Sequence, residues 1–429
     1  MIMPVVHDRE GNTAAMLDVI DRIALLVTDT EWWKYLSIPI VAALVGWSTN
    51  WVAIQMLFYP VKAWGKPPFL GWQGILPSKA ARMGAITVDT TLSKLGSLRD
   101  VFQTMDPQRI ADHLRGNLEP RIEAYVEWVM LEDNPRLWKS LPGFVKARVY
   151  STVRQELPEA IDAMMAEIGE RVDEVVDIKD VVVNQLVADP TLVNKIFLEC
   201  GKVEFAFIVR SGLYFGLPFG LIQMAIWAVY PAWWILPFFG ILVGYMTNWI
   251  ALRIIFQPLR PRRVGPFLLH GLFLRRQEEV SEIWCAIVSR DIITIHNIIH
   301  EMLYGRRSDT TQQIIGEHIK ALVDKAIGIA RPVIRFTLGS EEYEQIKHLA
   351  SEKAVAFTSN TFHDREFSEE RAVLVKELMR ERMVLLSSAE FQNLLRPAFQ
   401  EDEFKLILLG AVLGMLAGLG QLYFIFGGV

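Results

Sequence analysis

The sequence predicts an all-α, multi-pass membrane protein with about four transmembrane helices, two helical cytoplasmic domains and an internal duplication. Three observations carry this expectation. Four apolar runs are each long enough to cross a bilayer. A motif at Gly46 recurs at Gly244, an offset of 198 residues. Charged segments between the runs carry apolar residues at helical spacing.

Composition sets the frame. Of 429 residues, 52% are hydrophobic and 22% charged, and the mean hydropathy is +0.25. That is more apolar than an ordinary soluble chain. Yet 44 basic and 49 acidic residues are too many for a chain wholly inside lipid, so a few spans must be joined to hydrated domains. The net charge of −5 gives no electrostatic support for nucleic-acid binding. Cys200 and Cys285 are far apart and do not make a disulfide scaffold. The first residues lack a basic region before an apolar run, so they do not read as a signal peptide.

The runs define the expected boundaries: spans over 35–58, 205–230, 232–256 and 404–426, an extracytoplasmic segment over 1–34, and helical soluble domains over 59–203 and 257–403. Pro60, Pro231 and Pro258 stop the first three spans, and Trp32, Trp33, Trp227, Trp233 and Trp234 lie near span ends as aromatic belts do. Lys62, Lys66, Lys79 and Arg82 follow the first span, and Arg260, Arg262, Arg263, Arg275 and Arg276 follow the third. The positive-inside rule therefore puts 60–203 and 259–403 in the cytoplasm and both termini outside.

GWSTNWVAIQMLFYP, from Gly46 to Pro60, recurs as GYMTNWIALRIIFQP, from Gly244 to Pro258. Gly212, Gly216, Gly220 and Gln223 recur at the same offset as Gly410, Gly414, Gly418 and Gln421. Each unit is then span, soluble segment, span, and two crossings return the chain to its starting side. The units are thus parallel, related by an axis along the membrane normal. Between spans, Asp106-Pro107 and Asp189-Pro190 read as helix starts, with an N-cap followed by proline. Residues 12–28 are expected to form an amphipathic surface helix.

The Thr-Asn motif is the leading site candidate. Gly46, Thr49, Asn50 and Ala53 fall on one helix face, as do Gly244, Thr247, Asn248 and Ala251. An amide in hydrocarbon needs a partner, and small neighbours let another backbone approach. The motif reads either as an interhelical hydrogen-bonded clamp or as part of a path for a polar substrate. Arg253 stands one turn beyond, where the first copy has Gln55, and can snorkel to the interface. The glycines at every fourth position, with Gln223 and Gln421 finishing the face, read as helix-packing stripes.

Little else carries chemistry. His296 and His300 share a helix face without the order of a zinc hydrolase. Glu204, Asp402 and Glu403 sit where spans begin, either solvated at the interface or working beside the asparagines. No catalytic set, metal site or cofactor loop is legible, so a membrane enzyme ranks third, behind a scaffold and a transporter.

The run G-x-x-T-N-W-x-A-I/L, its apolar continuation, the proline and the glycine-containing loop resemble DUF445 (UPF0754), a family of multi-pass cell-membrane proteins of uncharacterised activity. The resemblance covers Gly46, Thr49, Asn50, Trp51, Pro60, Gly74 and Pro77, then Gly244, Thr247, Asn248, Trp249, Pro258 and Gly271. At the end it covers Arg396, Pro397, Asp402, Glu403, Gly410, Gly414, Gly418 and Gln421. It implies a cell-membrane location and supplies no substrate. The function expected is a membrane-anchored helical scaffold or envelope-maintenance protein. The alternative is an oligomeric transporter or lipid-handling protein using the inter-repeat interface. The lipid bilayer is the expected partner, with a homo-oligomer left open.

Overall fold

The computed structural model describes residues 32–66, 70–92, 94, 96–133, 135–328, 340–362, 364–393, 396 and 403–427. The expected helix over 12–28, most of the segment 1–34, Pro397 and Asp402 lie outside the described residues. The longer helices are α1 (Trp32–Phe58), α2 (Pro107–Leu118), α3 (Ile122–Asp133), α4 (Gly143–Glu170), α5 (Ile178–Ala188), α6 (Thr191–Cys200) and α7 (Lys202–Val229). They continue as α8 (Ile235–Phe256), α9 (Gln277–Ile287), α10 (Ile295–Tyr304), α11 (Ser308–Ile327), α12 (Ser340–Thr361), α13 (Arg365–Val384) and α14 (Glu403–Phe424). Four of them, α1, α7, α8 and α14, are long and apolar enough to cross a membrane.

The chain divides into two compact units. The first comprises residues 1–79, 193–277 and 391–429 and holds all four spans. Its helices pair antiparallel, α1 with α7 and α8 with α14. Because α7 turns directly into α8 at Pro231, α1 and α8 run parallel and end at the same level. Pro60 and Pro258 stand two residues past the ends of α1 and α8. Each helix is followed by a short antiparallel hairpin, which sequence periodicity does not reveal. The first joins β1 (Trp64–Lys66) to β2 (Leu70–Trp72), and the second joins β3 (Arg262–Val264) to β4 (Phe267–Leu269). Both fold back onto their span: Gly74 N–H donates to the Pro60 carbonyl at 2.9 Å, and Gly271 N–H to that of Pro258 at 3.1 Å. Glycine is required at both returns. A Cβ built on Gly74 would lie 2.6 Å from the Phe58 carbonyl carbon, and one on Gly271 2.8 Å from the Ile255 oxygen.

The second unit comprises residues 80–192 and 278–390, so it draws on both inter-span segments. The separate domains expected at 59–203 and 257–403 are here grouped into one contact unit. The physical reason is amphipathicity. Helix α4 buries Leu157, Ile161, Met164, Met165 and Ile168, while α11 buries Ile314, Ile315 and Leu322. The two pack together, and neither face could stay in water without cost. Tyr125 on α3 donates to the Ala350 carbonyl on α12 at 2.5 Å. Ion pairs stitch the rim, including Lys325 with Glu156 at 2.7 Å and Lys353 with Glu132 at 2.8 Å. Such exposed pairs add about 0–1 kcal/mol each, so the apolar faces dominate. Asp106 caps α2 as its sequence implies: its side chain accepts from Arg109 N–H at 3.3 Å, with Pro107 at the first helical position.

Candidate functional site

The buried polar residues of the spans gather around the glycine contacts. On α1, Gly46, Thr49, Asn50 and Ala53 are all buried. Asn50 is fully buried and its amide nitrogen donates to the Ile208 carbonyl of α7 at 2.7 Å. The Ser211 hydroxyl donates to that same carbonyl at 2.7 Å. Asn50 reaches it because Gly212, four residues on, has no side chain to cover it. A Cβ built on Gly46 would lie 2.5 Å from the Gly212 oxygen, so the two backbones touch. Thr49 turns inward on its own helix, donating to the Gly46 carbonyl at 3.2 Å. The amide oxygen of Asn50 is buried with no hydrogen-bond partner among the described residues.

The other span pair repeats the arrangement with different bonds. Thr247 is fully buried and donates to the Val243 carbonyl at 2.8 Å. Asn248 is buried against Gly410, where any Cβ would run into its amide nitrogen. Along the stripes, Gly216 meets the Ala42 backbone, Gly220 meets Pro39, Gly414 meets Gly240, and Gly418 meets Leu236. Each stripe therefore lies on the Thr-Asn helix of its own half, a choice the sequence leaves open. Gln223 and Gln421 are both buried. The Gln421 amide donates to the Ser37 hydroxyl at 3.4 Å, linking α14 to α1. Arg253 stands apart. It is exposed, with its guanidinium 4.7 Å from the centre of the Trp249 ring.

A charged pair extends the first cluster toward the start of α7. Glu204 is 2% exposed, and Arg276 donates to one of its carboxylate oxygens at 2.7 Å. The other oxygen is buried without a partner among the described residues. Glu204 borders a cavity of about 10 Å³ with Phe205, Ile208, Leu252, Phe256 and Phe273, room for roughly one water. Asn194 donates to the Phe58 carbonyl at 2.7 Å and so satisfies one of the acceptors left open at the end of α1. The Phe58 and Phe205 rings meet edge-on at 5.2 Å. Glu204 is thus dry and paired rather than solvated at an interface. Its signal in the sequence is an acid adjoining an otherwise apolar run, a signal it shares with Asp402 and Glu403. Arg276 and Asn194 carry no comparable signal, because their roles depend on which span end they meet.

This arrangement can hold and orient; among the described residues it has no nucleophile with a base beside it. Among the described residues, no group of three or more His, Cys, Asp or Glu side chains gathers as a metal site would require. His296 and His300 lie 6.3 Å apart by ring centres on α10.

Two spaces in the second unit complete the description. An apolar cavity of about 60 Å³ lies among Leu114, Ile122, Tyr125, Leu157, Ile315 and Phe357. An open cleft of about 860 Å³ is bordered by Arg290, His296, Asp364, Arg365, Glu369 and Lys376. The cleft's cations are matched by acids: Arg365 pairs with Glu369 at 2.7 Å and Lys376 with Glu282 at 2.9 Å. Comparisons with family models, with curated proteins and with solved structures find no match for this chain.

Proposed function

We propose that this chain is a membrane-anchored helical scaffold, with segments 60–203 and 259–403 in the cytoplasm and the termini outside. The observation that carries the reading is direct backbone contact along both span pairs, at Gly46 with Gly212 and at Gly244 with Gly410. Surfaces this close are held as units, which suits an anchor. The 60 Å³ cavity of the second unit supports the same reading. An engineered cavity of about 150 Å³ holds only a benzene-sized molecule, so an acyl chain needs far more room. The matching motifs and matching glycine contacts of the two halves support an origin by duplication. The Thr-Asn, proline and glycine motifs support kinship with the DUF445 family. A transporter is the second reading, favoured by the unpartnered oxygens of Asn50 and Glu204.

Covalent locking separates the two. Ser37→Cys and Gln421→Cys, bridged by a short thiol crosslinker, would fix α1 to α14. A scaffold so locked should still complement cells lacking the gene, while loss of complementation on crosslinking would defeat the reading. Orientation is tested with single cysteines and an impermeant thiol reagent on intact cells. Trp233→Cys, in the exposed turn between α7 and α8, should label, and Arg136→Cys should not. The reverse pattern overturns the orientation.

A further inference from the structure

The hairpins that follow α1 and α8 carry unpaired positive charge beside exposed apolar side chains. Residues 257–277 contain Arg260, Arg262, Arg263, Arg275 and Arg276 and no acid. Residues 59–79 contain Lys62, Lys66 and Lys79 and no acid. Arg276 is neutralised by Glu204. Arg260, Arg262 and Arg263 are exposed and have no side-chain hydrogen bond or ion pair among the described residues. Lys62 is likewise exposed and unpaired among the described residues. Glu199, Lys202, Glu403 and Lys405 are further charged residues at this end of the spans. Among the described residues, no acid pairs with the hairpin residues Arg260, Arg262 and Arg263.

Apolar groups stand among these cations. Trp64 is 75% exposed, and Trp72, Tyr59, Leu259 and Leu269 are exposed as well. The Trp72 indole donates to the Tyr59 carbonyl at 3.2 Å, which fixes its ring beside the end of α1. Since α1 and α8 are parallel, both hairpins lie at the same end of the spans. Exposed aromatic rings with adjacent cations at a span end match the chemistry of a lipid headgroup layer.

We propose that the two hairpins form a site for anionic phospholipid headgroups, with Arg260, Arg262 and Arg263 holding the phosphate. Guanidinium presents paired N–H donors that fit phosphate oxygens. The hairpin turns these donors outward at the level where the span ends, and Trp64 and Trp72 anchor the neighbouring hairpin in the same layer. The inference goes beyond the scaffold reading and needs only that α1 and α8 cross a bilayer. It holds for a scaffold and for a transporter alike.

The test uses the full-length protein in phosphatidylcholine vesicles containing spin-labelled phosphatidylglycerol or spin-labelled phosphatidylcholine. Electron paramagnetic resonance reads the motionally restricted fraction of each. Wild type should favour phosphatidylglycerol by about threefold or more at low salt, and 0.5 M NaCl should bring the ratio toward one without any mutation. The R260Q/R262Q/R263Q variant should lose the preference. A matched variant, R109Q/R121Q/R136Q, removes the same charge from exposed positions of the second unit and should keep it. A wild-type ratio of one at low salt would overturn the proposal, as would a salt-insensitive preference. Equal loss in both triple variants would also overturn it, because the effect would then belong to net charge alone.

Discussion

Asn50 crosses from α1 to bond the Ile208 carbonyl of α7 at 2.7 Å. That carbonyl is the one the helix pattern assigns to the Gly212 N–H. The asparagine therefore shares an acceptor already in use, and Gly212 is what exposes it. Three positions of the sequence, Gly46, Asn50 and Gly212, thus act as one contact.

Asn50→Leu should remove the bond without adding a buried polar group. In lipid such interhelical bonds contribute about 0.6–2 kcal/mol. The variant should unfold at a lower temperature in detergent, measured by circular dichroism. A transition temperature equal to wild type would show that the bond is not stabilising.

Gly216→Leu should be worse than the loss of any one hydrogen bond. A Cβ there would lie 2.7 Å from the Ala42 carbonyl oxygen and 2.9 Å from the Ala43 Cα. Backbone cannot move aside as a side-chain tip can, so α1 and α7 must separate along their length. Overpacking of this kind costs about 1–3 kcal/mol or more. Gly420→Leu is the control, since a Cβ there meets only the Phe424 ring at 4.0 Å. Folded protein recovered from membranes should fall for the first variant and hold for the second. Equal recovery would mean that the stripe is not a close contact.

These positions also show what the sequence can and cannot carry. Long apolar runs ending at Pro60 and Pro258 mark the spans, because lipid imposes length and composition on a helix. Glycine spacing marks a contact surface on α7 and α14. It carries no address, since two bare stripes and two Thr-Asn faces fit in either pairing. The hairpins after Pro60 and Pro258 have three-residue strands, too short for alternation to register. Glu204 reads as an interfacial acid until Arg276, 72 residues later, is brought to within 2.7 Å. The grouping of both inter-span segments into one unit is hidden for the same reason: an amphipathic face such as that of α4 states that it needs a partner, not which one.

The native cysteine of the second unit should be chemically silent. Cys285 is fully buried, and its thiol lies 3.6 Å from the Met383 sulfur. Burial pushes its pKa up from 9.0 to about 12. Thiolate is the reactive form, so iodoacetamide at pH 8 should leave Cys285 unmodified in the folded protein and modify it after denaturation. The linkage has a defined sign. The unfolded thiol ionises near its ordinary value while the folded one stays protonated, so stability falls as pH rises from about 9 toward 12. Mass spectrometry after timed alkylation checks the reactivity. Rapid modification of the native protein at pH 8 would contradict the burial described.

The pair of Glu204 and Arg276 gives the sharpest prediction for the span unit. The carboxylate is almost wholly dry, and the arginine side chain is 16% exposed. Removing Arg276 leaves the Glu204 carboxylate without this counter-ion, which costs about 3–5 kcal/mol for a fully buried pair. The partial exposure of Arg276 lets water reach the guanidinium, so Arg276→Met should cost more than Glu204→Gln: it strands the drier group. The double variant leaves no charge behind and should be less damaging than the two single effects added together. Chemical denaturation in detergent of the wild type, both single variants and the double variant measures the coupling. Strictly additive losses would show that the two residues do not stabilise one another, and the 2.7 Å contact would then have no energetic role.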